Sequence, residues 1–334
     1  MYYIIGFNDM AQHFLLSSKA RTINLKSVYK MGEDGAYDLF CQLRWSETDG
    51  EAVCPRCGCL DSYKIKSRRQ FECKGCKHHY SVTSGTIFSN RKLDYVDMLA
   101  AIVLFVNGAK GVSALQVSRD LDVQYKTAYV LCHKLREAMA REDHGMMLEG
   151  EVEVDGAYFG GYVKPANEKA DRKDRRLSFN RSGKRQVVVV GRERDGESIV
   201  AVAKTEAHGG EIVAARIHHM ATVHADEAAH WDDLHAKFDT RRINHSVAYS
   251  TAEACTNQAE SFFSRLRRME IGTHHHIAGP YLASYAHEAS WREDNRRVDN
   301  GAQAAMVLEA AMEAPVSRQW KGYWQRGIVN PHAG

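Results

Sequence analysis

Four cysteines constrain this chain more than any other feature. Cys54, Cys57, Cys73 and Cys76 read C-x2-C-x15-C-x2-C. Two tight CxxC turns at this separation bring four thiolates together, and four thiolates complete a tetrahedral Zn2+ site with no position left open for chemistry. The metal is therefore structural. Pro55 and Gly58 in one knuckle and Gly75 in the other suit tight turns. The stretch SYKIKSRRQFEC between the pairs reads as the hairpin of a zinc ribbon, with Lys64, Lys66, Arg68 and Arg69 exposed. The chain has eight cysteines, but paired CxxC spacing in a long, non-secreted chain favours metal over disulfides. Cys59 reads as a bystander thiol, and Cys41, Cys132 and Cys255 as core residues.

Around the ribbon the pattern is helical. Residues 1–32 carry no clear period. Residues 33–45 form an amphipathic helix pattern with Tyr37, Phe40, Cys41 and Trp45 on one face, and residues 92–108 form a strongly apolar one. Two more helical patterns, 113–121 and 124–141, are separated only by Asp122 and Val123. Ala114, Leu115, Val117, Leu121, Val123, Ala128, Leu131 and Leu135 are the expected core of a helix-turn-helix. That leaves Gln124, Tyr125, Lys126 and Thr127 at the exposed start of the second helix, where a recognition helix meets bases and phosphates. Lys134 and Arg136 are placed to reach the DNA backbone. An ordinary helical hairpin is the alternative reading.

After a linker at 145–150, strand patterns dominate: 151–159, 186–192 and 198–205, the last two joined through ERDGES as a hairpin. A helix is expected over 211–220, a strand ending at Asp226 and another near 242–249. From Gln258 on, the chain reads as mostly helical. Strand alternation puts Val152 and Val154 on one face and Glu153 and Asp155 on the other. On the helix that follows, Ala259, Phe262, Phe263, Leu266 and Met269 share one face and Glu260, Ser264 and Arg267 the other. Asp155, Asp226 and Glu260 thus come from two strands and a helix. Carboxylates so assembled can hold two divalent ions, and two ions can drive in-line attack on a phosphodiester. Glu153 and Glu227 read as solvated neighbours, His224 as a packed or solvated histidine, and His274, His275 and His276 as polar surface or a DNA contact.

The net charge is +3, but its distribution matters more: residues 164–185 hold nine Lys/Arg against three Asp/Glu. That segment can neutralise phosphate, although a solvated loop has the same composition. No G-x-x-x-x-G-K-[ST] loop and no G-x-S-x-G elbow occurs, which argues against ATP-driven and serine-nucleophile mechanisms. No stretch reaches the roughly 18–20 apolar residues of a membrane span, so a cytoplasmic protein is expected, nucleoid-associated when bound to DNA.

Taken in order, CQLRW, CPRCG, FECKGCKHHYSVTSGTIF, EVEVDGAYFGG, ADEAAHW, INHSVAYS, TNQAESFFSRLRRMEIGTHHHI and EDNRR resemble bacterial insertion-sequence transposases of the zinc-ribbon DDE type, the ISXO-like group. The resemblance covers roughly residues 38–297. It implies a ribonuclease-H-like catalytic domain, a mixed sheet flanked by helices, with two Mg2+ (or Mn2+) ions. By matching motifs, Asp155, Asp226 and Glu260 are its metal-binding catalytic triad. It also implies strand cleavage at element ends followed by strand transfer. Gly156 stands where relatives often carry an acid, and Trp231 where a Tyr is common.

The expected architecture is an α+β multidomain chain: an N-terminal helical segment (1–50), zinc ribbon (51–90), helix-turn-helix DNA-binding domain (91–145), ribonuclease-H-like mixed α/β catalytic domain (150–300) and C-terminal helical tail (301–334). The expected partner is double-stranded DNA, both the terminal inverted repeats and the target, with Arg265, Arg267 and Arg268 holding flanking or target DNA. A homodimer or higher assembly is expected because two ends are processed together. A catalytically inactive DNA-binding regulator and a metal-dependent nuclease without joining activity are the alternatives.

Overall fold

The computed structural model describes residues 14–142, 145–161, 164–174, 177, 180, 183–194, 196–228, 231–243 and 256–324. The first helix, α1 (Leu25–Arg44), starts earlier than its apolar pattern does. Asn24 and Ser27 form a reciprocal capping box, and the chain bends at Gly32, whose φ of 70° admits glycine without strain. Tyr37, Phe40, Cys41 and Trp45 are buried as their spacing predicts. The ribbon is a three-stranded antiparallel sheet of β1 (Ser62–Ile65), β2 (Gln70–Cys73) and β3 (His79–Tyr80). It is not a separate module in its packing: Phe71 of β2 meets Trp45 edge to face at 5.5 Å.

The apolar run becomes α2 (Tyr95–Asn107), buried on most of its faces. It packs with α3 (Ala114–Asp120) and α4 (Tyr125–Glu142), separated by a turn in which Asp122 takes φ 50°. Val117, Leu121, Ala128, Leu131 and Leu135 are buried and Ala114 and Val123 partly so, but Leu115 is 47% exposed and stands outside that core. The chain beyond residue 300 folds as α9 (Asn300–Glu313). Its Val307, Leu308, Ala311 and Met312 are fully buried in the same core as α1, α2 and α4.

The second sheet has the order β6-β5-β4-β7-β8. Its strands are β4 (Glu151–Phe159), β5 (Gln186–Glu193), β6 (Ser198–Ala203), β7 (Thr222–Asp226) and β8 (Asp239–Ile243). β4, β5 and β6 are antiparallel, whereas β7 pairs parallel with both β4 and β8, giving a mixed sheet. The central β5 is apolar on both faces: Val187 and Val189 point to one core, Val188 and Val190 to another. One face carries α5 (Glu206–Ala214). Contact there is close enough that a Cβ at Gly209 would lie 2.5 Å from a Val189 methyl. The other carries α7 (Asn257–Met269) and α8 (Leu282–Asp294). A short helix, α6 (Asp232–His235), precedes β8.

Three expectations need correction. The helix expected over 211–220 lies at 206–214, because Thr205 caps it early and the chain then leaves it to bridge Leu148 to Ile217. The strand expected near 242–249 occupies 239–243 as β8, and residues 244–249 lie outside the described residues, as does Cys255. His274 is half-buried against the Tyr285 ring at 4.6 Å, not open surface like His275 and His276. Among the described residues no helix is long and apolar enough to cross a membrane.

Candidate functional site

Among the described residues, Cys54, Cys57, Cys73 and Cys76 are the one group whose ligand atoms all fall within 4.8 Å of one another. The Sγ atoms of Cys54 and Cys76 are 3.7 Å apart and those of Cys57 and Cys73 3.5 Å. A tetrahedron of thiolates about 2.3 Å from Zn2+ has edges of about 3.8 Å, so the donors fit that ion. The Cys76 backbone N–H donates to Cys73 Sγ at 3.4 Å and pulls that thiol's pKa down to about 6, favouring the thiolate a metal needs. Cys59 Sγ donates instead to the Asp61 carbonyl, outside the cluster.

The carboxylates are assembled over much longer distances. Glu151 pairs with Thr222 and Glu153 with His224, so Asp155 and Asp226 stand at matching positions two residues further along adjacent parallel strands. Val152 and Val154 enter the core beneath α5, while Ala157 and Phe159 enter the core beneath α7 and α8. Alternation therefore turns Asp155 toward α7, with Glu153 on the same face. Each aspartate accepts from the next backbone N–H: Gly156 N to Asp155 Oδ1 at 2.7 Å, and Glu227 N to Asp226 Oδ1 at 2.6 Å. Glu260 lies in the first turn of α7, half-buried beside Ala259 and Phe263. The three carboxylates do not all lie within 4.8 Å of one another.

What brings α7 to the sheet is a residue misread from the sequence. Glu153 is 1% exposed, not solvated. Its Oε2 accepts from the backbone N–H of Gln258 at 2.7 Å and of Ala259 at 3.2 Å, and its Oε1 from Arg194 Nε at 3.1 Å. Thr256, the residue at the N-cap of α7, makes no side-chain cap. A strand carboxylate thus satisfies the helix's orphan donors and meets the positive end of its dipole. Arg192 adds a second tie, from its Nε to Gln258 Oε1 at 3.0 Å. The signal that could have found Glu153 is its alternation with two buried valines, on the face of Asp155. Glu227 is exposed as expected. His224 shares the face of Asp226 but is buried, and desolvation pushes its pKa down to about 4.

The two departures from relatives have local reasons. A Cβ at Gly156 would lie 3.0 Å from Glu206 Cγ, so an acid there would face another acid. Trp231 is buried and fills the space beside Gly210, where a Cβ would lie 2.9 Å from the indole ring.

The residues expected to touch DNA divide. Gln124, Lys126, Thr127 and Lys134 line one cavity of about 250 Å³, together with the segment Trp320 to Trp324. Lys126 Nζ sits 5.2 Å from the Trp324 ring centre, and Tyr125 is exposed nearby. Arg136 is a correction: it is 1% exposed, its Nε donates to Glu288 at 2.6 Å, and it stacks on Tyr285, so it cannot reach a DNA backbone. Arg267 and Arg268 are exposed on α7, and Arg265 pairs with the buried Glu293. The basic stretch 164–185 is largely exposed where it is described.

The ISXO2-like transposase domain matches residues 147–294, the mixed sheet with α7 and α8. The transposase zinc-ribbon domain matches residues 31–79, which include all four clustered cysteines. No curated protein and no solved structure matches the chain. Two transposase domains in this order, over more than half of the chain and with the four-cysteine cluster formed, place this protein among the ISXO2-like transposases that carry an N-terminal zinc ribbon.

Proposed function

We propose that this protein binds the terminal inverted repeats of an insertion sequence and catalyses metal-dependent strand cleavage and strand transfer. One observation carries the reading. Asp155 and Asp226 occupy matching positions on adjacent parallel strands, and Glu260 is in the first turn of a helix docked two residues from Asp155 by Glu153. The donor set is all carboxylate oxygen on one half-buried face, which suits Mg2+ or Mn2+. Asp155, Asp226 and Glu260 would hold two such ions. Bound there, the ions would lower the pKa of an attacking water or 3′-hydroxyl and stabilise the leaving oxygen. The chain's own part is to fix the acids. The Gly156 and Glu227 N–H groups orient the two aspartates, and Glu153 fixes the start of the helix bearing the glutamate. No protein nucleophile is required.

The mixed sheet with helices on both faces is read as ribonuclease-H-like. Helices α3 and α4 are read as a helix-turn-helix presenting Gln124, Tyr125, Lys126 and Thr127, with Lys134 behind them, to the element ends. Arg267 and Arg268 extend the DNA surface along α7. Processing two ends together requires a dimer or higher assembly. The test is a reaction with Mg2+ or Mn2+ on labelled duplex bearing the terminal repeats, with a target plasmid and an Asp226→Ala control. Cleaved and joined products, both lost in the control, support the reading. Binding without cleavage by the parent protein favours a regulator, and cutting without joining favours a nuclease.

A further inference from the structure

Glu153 holds the start of α7, and a second buried carboxylate holds its side. Glu293, in the last turn of α8, is 3% exposed. Its Oε1 pairs with Arg192 Nη2 at 2.8 Å and Arg296 Nη1 at 2.7 Å, and its Oε2 pairs with Arg265 Nη1. Arg192 lies on β5, opposite Glu153 in the sheet register, and its Nε donates to Gln258 Oε1 on α7. Glu293 is therefore joined to α7 at two points, directly at Arg265 and through Arg192 at Gln258. Its own place is fixed by its neighbour: Asp294 accepts from the Ser198 N–H at 3.2 Å and from the Ser198 hydroxyl at 2.7 Å, which ties α8 to β6.

The two points share a stripe of the helix. Gln258 and Arg265 are separated by about two turns. Glu260 follows Gln258 by two positions, roughly 200° round the axis. The buried face of Ala259, Phe262, Phe263, Leu266 and Met269 lies between them. The clamp therefore grips one flank of α7, and Glu260 stands on the other. Glu153 binds backbone N–H groups, close to the axis, so it resists sliding more than roll. Apolar burial is non-directional, whereas charge-assisted hydrogen bonds fix a geometry. A roll of about 20° carries an atom about 5 Å from the axis through about 2 Å, well beyond the tolerance of about 0.5 Å for a preorganised site.

We infer that Glu293 is a positioning residue for the carboxylate site: through Arg192 and Arg265 it sets the roll of α7 and with it the aim of Glu260. Arg265 is then an arm of this clamp and not a phosphate contact. The inference rests on the reading of Asp155, Asp226 and Glu260 as a metal site. Mn2+ titration of the folded, zinc-loaded full chain, followed by electron paramagnetic resonance, tests it in the parent protein, Glu293→Gln, Arg265→Gln, Arg265→Lys and Asp226→Ala.

Mn2+ affinity should fall about tenfold in Glu293→Gln, as for supports behind a metal ligand, and about threefold in Arg265→Gln, the scale of a half-exposed ion pair. Arg265→Lys should recover part of the loss. The Arg265 variant separates positioning from charge: removing a cation raises affinity for a divalent ion by charge alone, whereas loss of roll control lowers it. The salt slope for binding a duplex without terminal repeats should be the same in Arg265→Gln as in the parent protein. Mn2+ affinity unchanged or raised in Arg265→Gln overturns the inference, as does a slope flattened by about 0.9, the mark of one phosphate contact. Should Glu293→Gln not fold, Arg265→Gln carries the test, since the Arg265 side chain is 47% exposed. Mn2+ binding indifferent to Asp226→Ala overturns the metal-site reading and the inference with it. Binding lost in Asp226→Ala but untouched in both clamp variants counts against the clamp alone.

Discussion

The zinc ribbon and the proposed carboxylate site are built in opposite ways. The four thiols come from 23 consecutive residues, Cys54 to Cys76, and two local turns suffice to bring them within 4.8 Å. The carboxylates come from Asp155, Asp226 and Glu260, and their approach depends on strand register and on a helix docked from a distant strand. A local site can be read from spacing. A non-local one is held by residues that do none of its chemistry.

That difference can be broken most forcefully at the ribbon. Removing zinc, or Cys73→Ser, should unfold the ribbon, since structural zinc binding contributes on the order of 10 kcal/mol or more. Because Phe71 packs on Trp45 in the shared core, α1 should loosen too. Zinc content with a thermal melt checks this, and an unchanged melting temperature after chelation would contradict a shared core. Next comes Asp155→Ala, which should abolish metal-dependent cleavage while moving stability by no more than about 1 kcal/mol. Cleavage assays beside a denaturant titration separate the two effects.

Glu153→Ala probes the docking of α7. It removes the acceptor of the Gln258 and Ala259 N–H groups, while Arg194 keeps Glu151, and should cost about 2–3 kcal/mol. Cleavage should fall although no triad residue has changed. Glu153→Gln, which keeps an acceptor oxygen, should recover part of both.

The smallest effect at neutral pH is at His133 of α4, 1% exposed and stacked on Trp320 at 4.3 Å. Desolvation, with Arg136 adding to it, lowers its pKa from 6.5 to about 3. The unfolded chain therefore binds the extra proton first. The histidine's contribution to stability is complete above about pH 6.5 and drains as pH falls toward 3, by at most about 1.4 kcal/mol per pH unit. His133→Phe should flatten that part of the pH–stability curve, measured by denaturant titration against the parent protein.

The sequence was legible wherever one element carried the whole signal. The CxxC pairs, the buried face of α1, the β5–β6 hairpin and the opposite facing of Val152 and Asp155 are all local periodicities. It was silent where a partner lay far along the chain. Glu153 reads as a surface acid until Gln258, 105 residues away, supplies the N–H it binds. Arg136 reads as a DNA contact until Glu288, 152 residues away, buries it. α9 reads as a tail because alanines stand on and off its buried face alike and weaken the pattern. Only the assembled core of α1, α2 and α4 shows what that face packs against.

The most direct test of two separate metal sites of different kinds is Mn2+ binding to the zinc-loaded protein, followed by electron paramagnetic resonance. Mn2+ should bind the parent protein and be lost in both Asp155→Ala and Asp226→Ala, with one zinc per chain retained in all three. Mn2+ binding unchanged in both variants would place the ion elsewhere and contradict the carboxylate site.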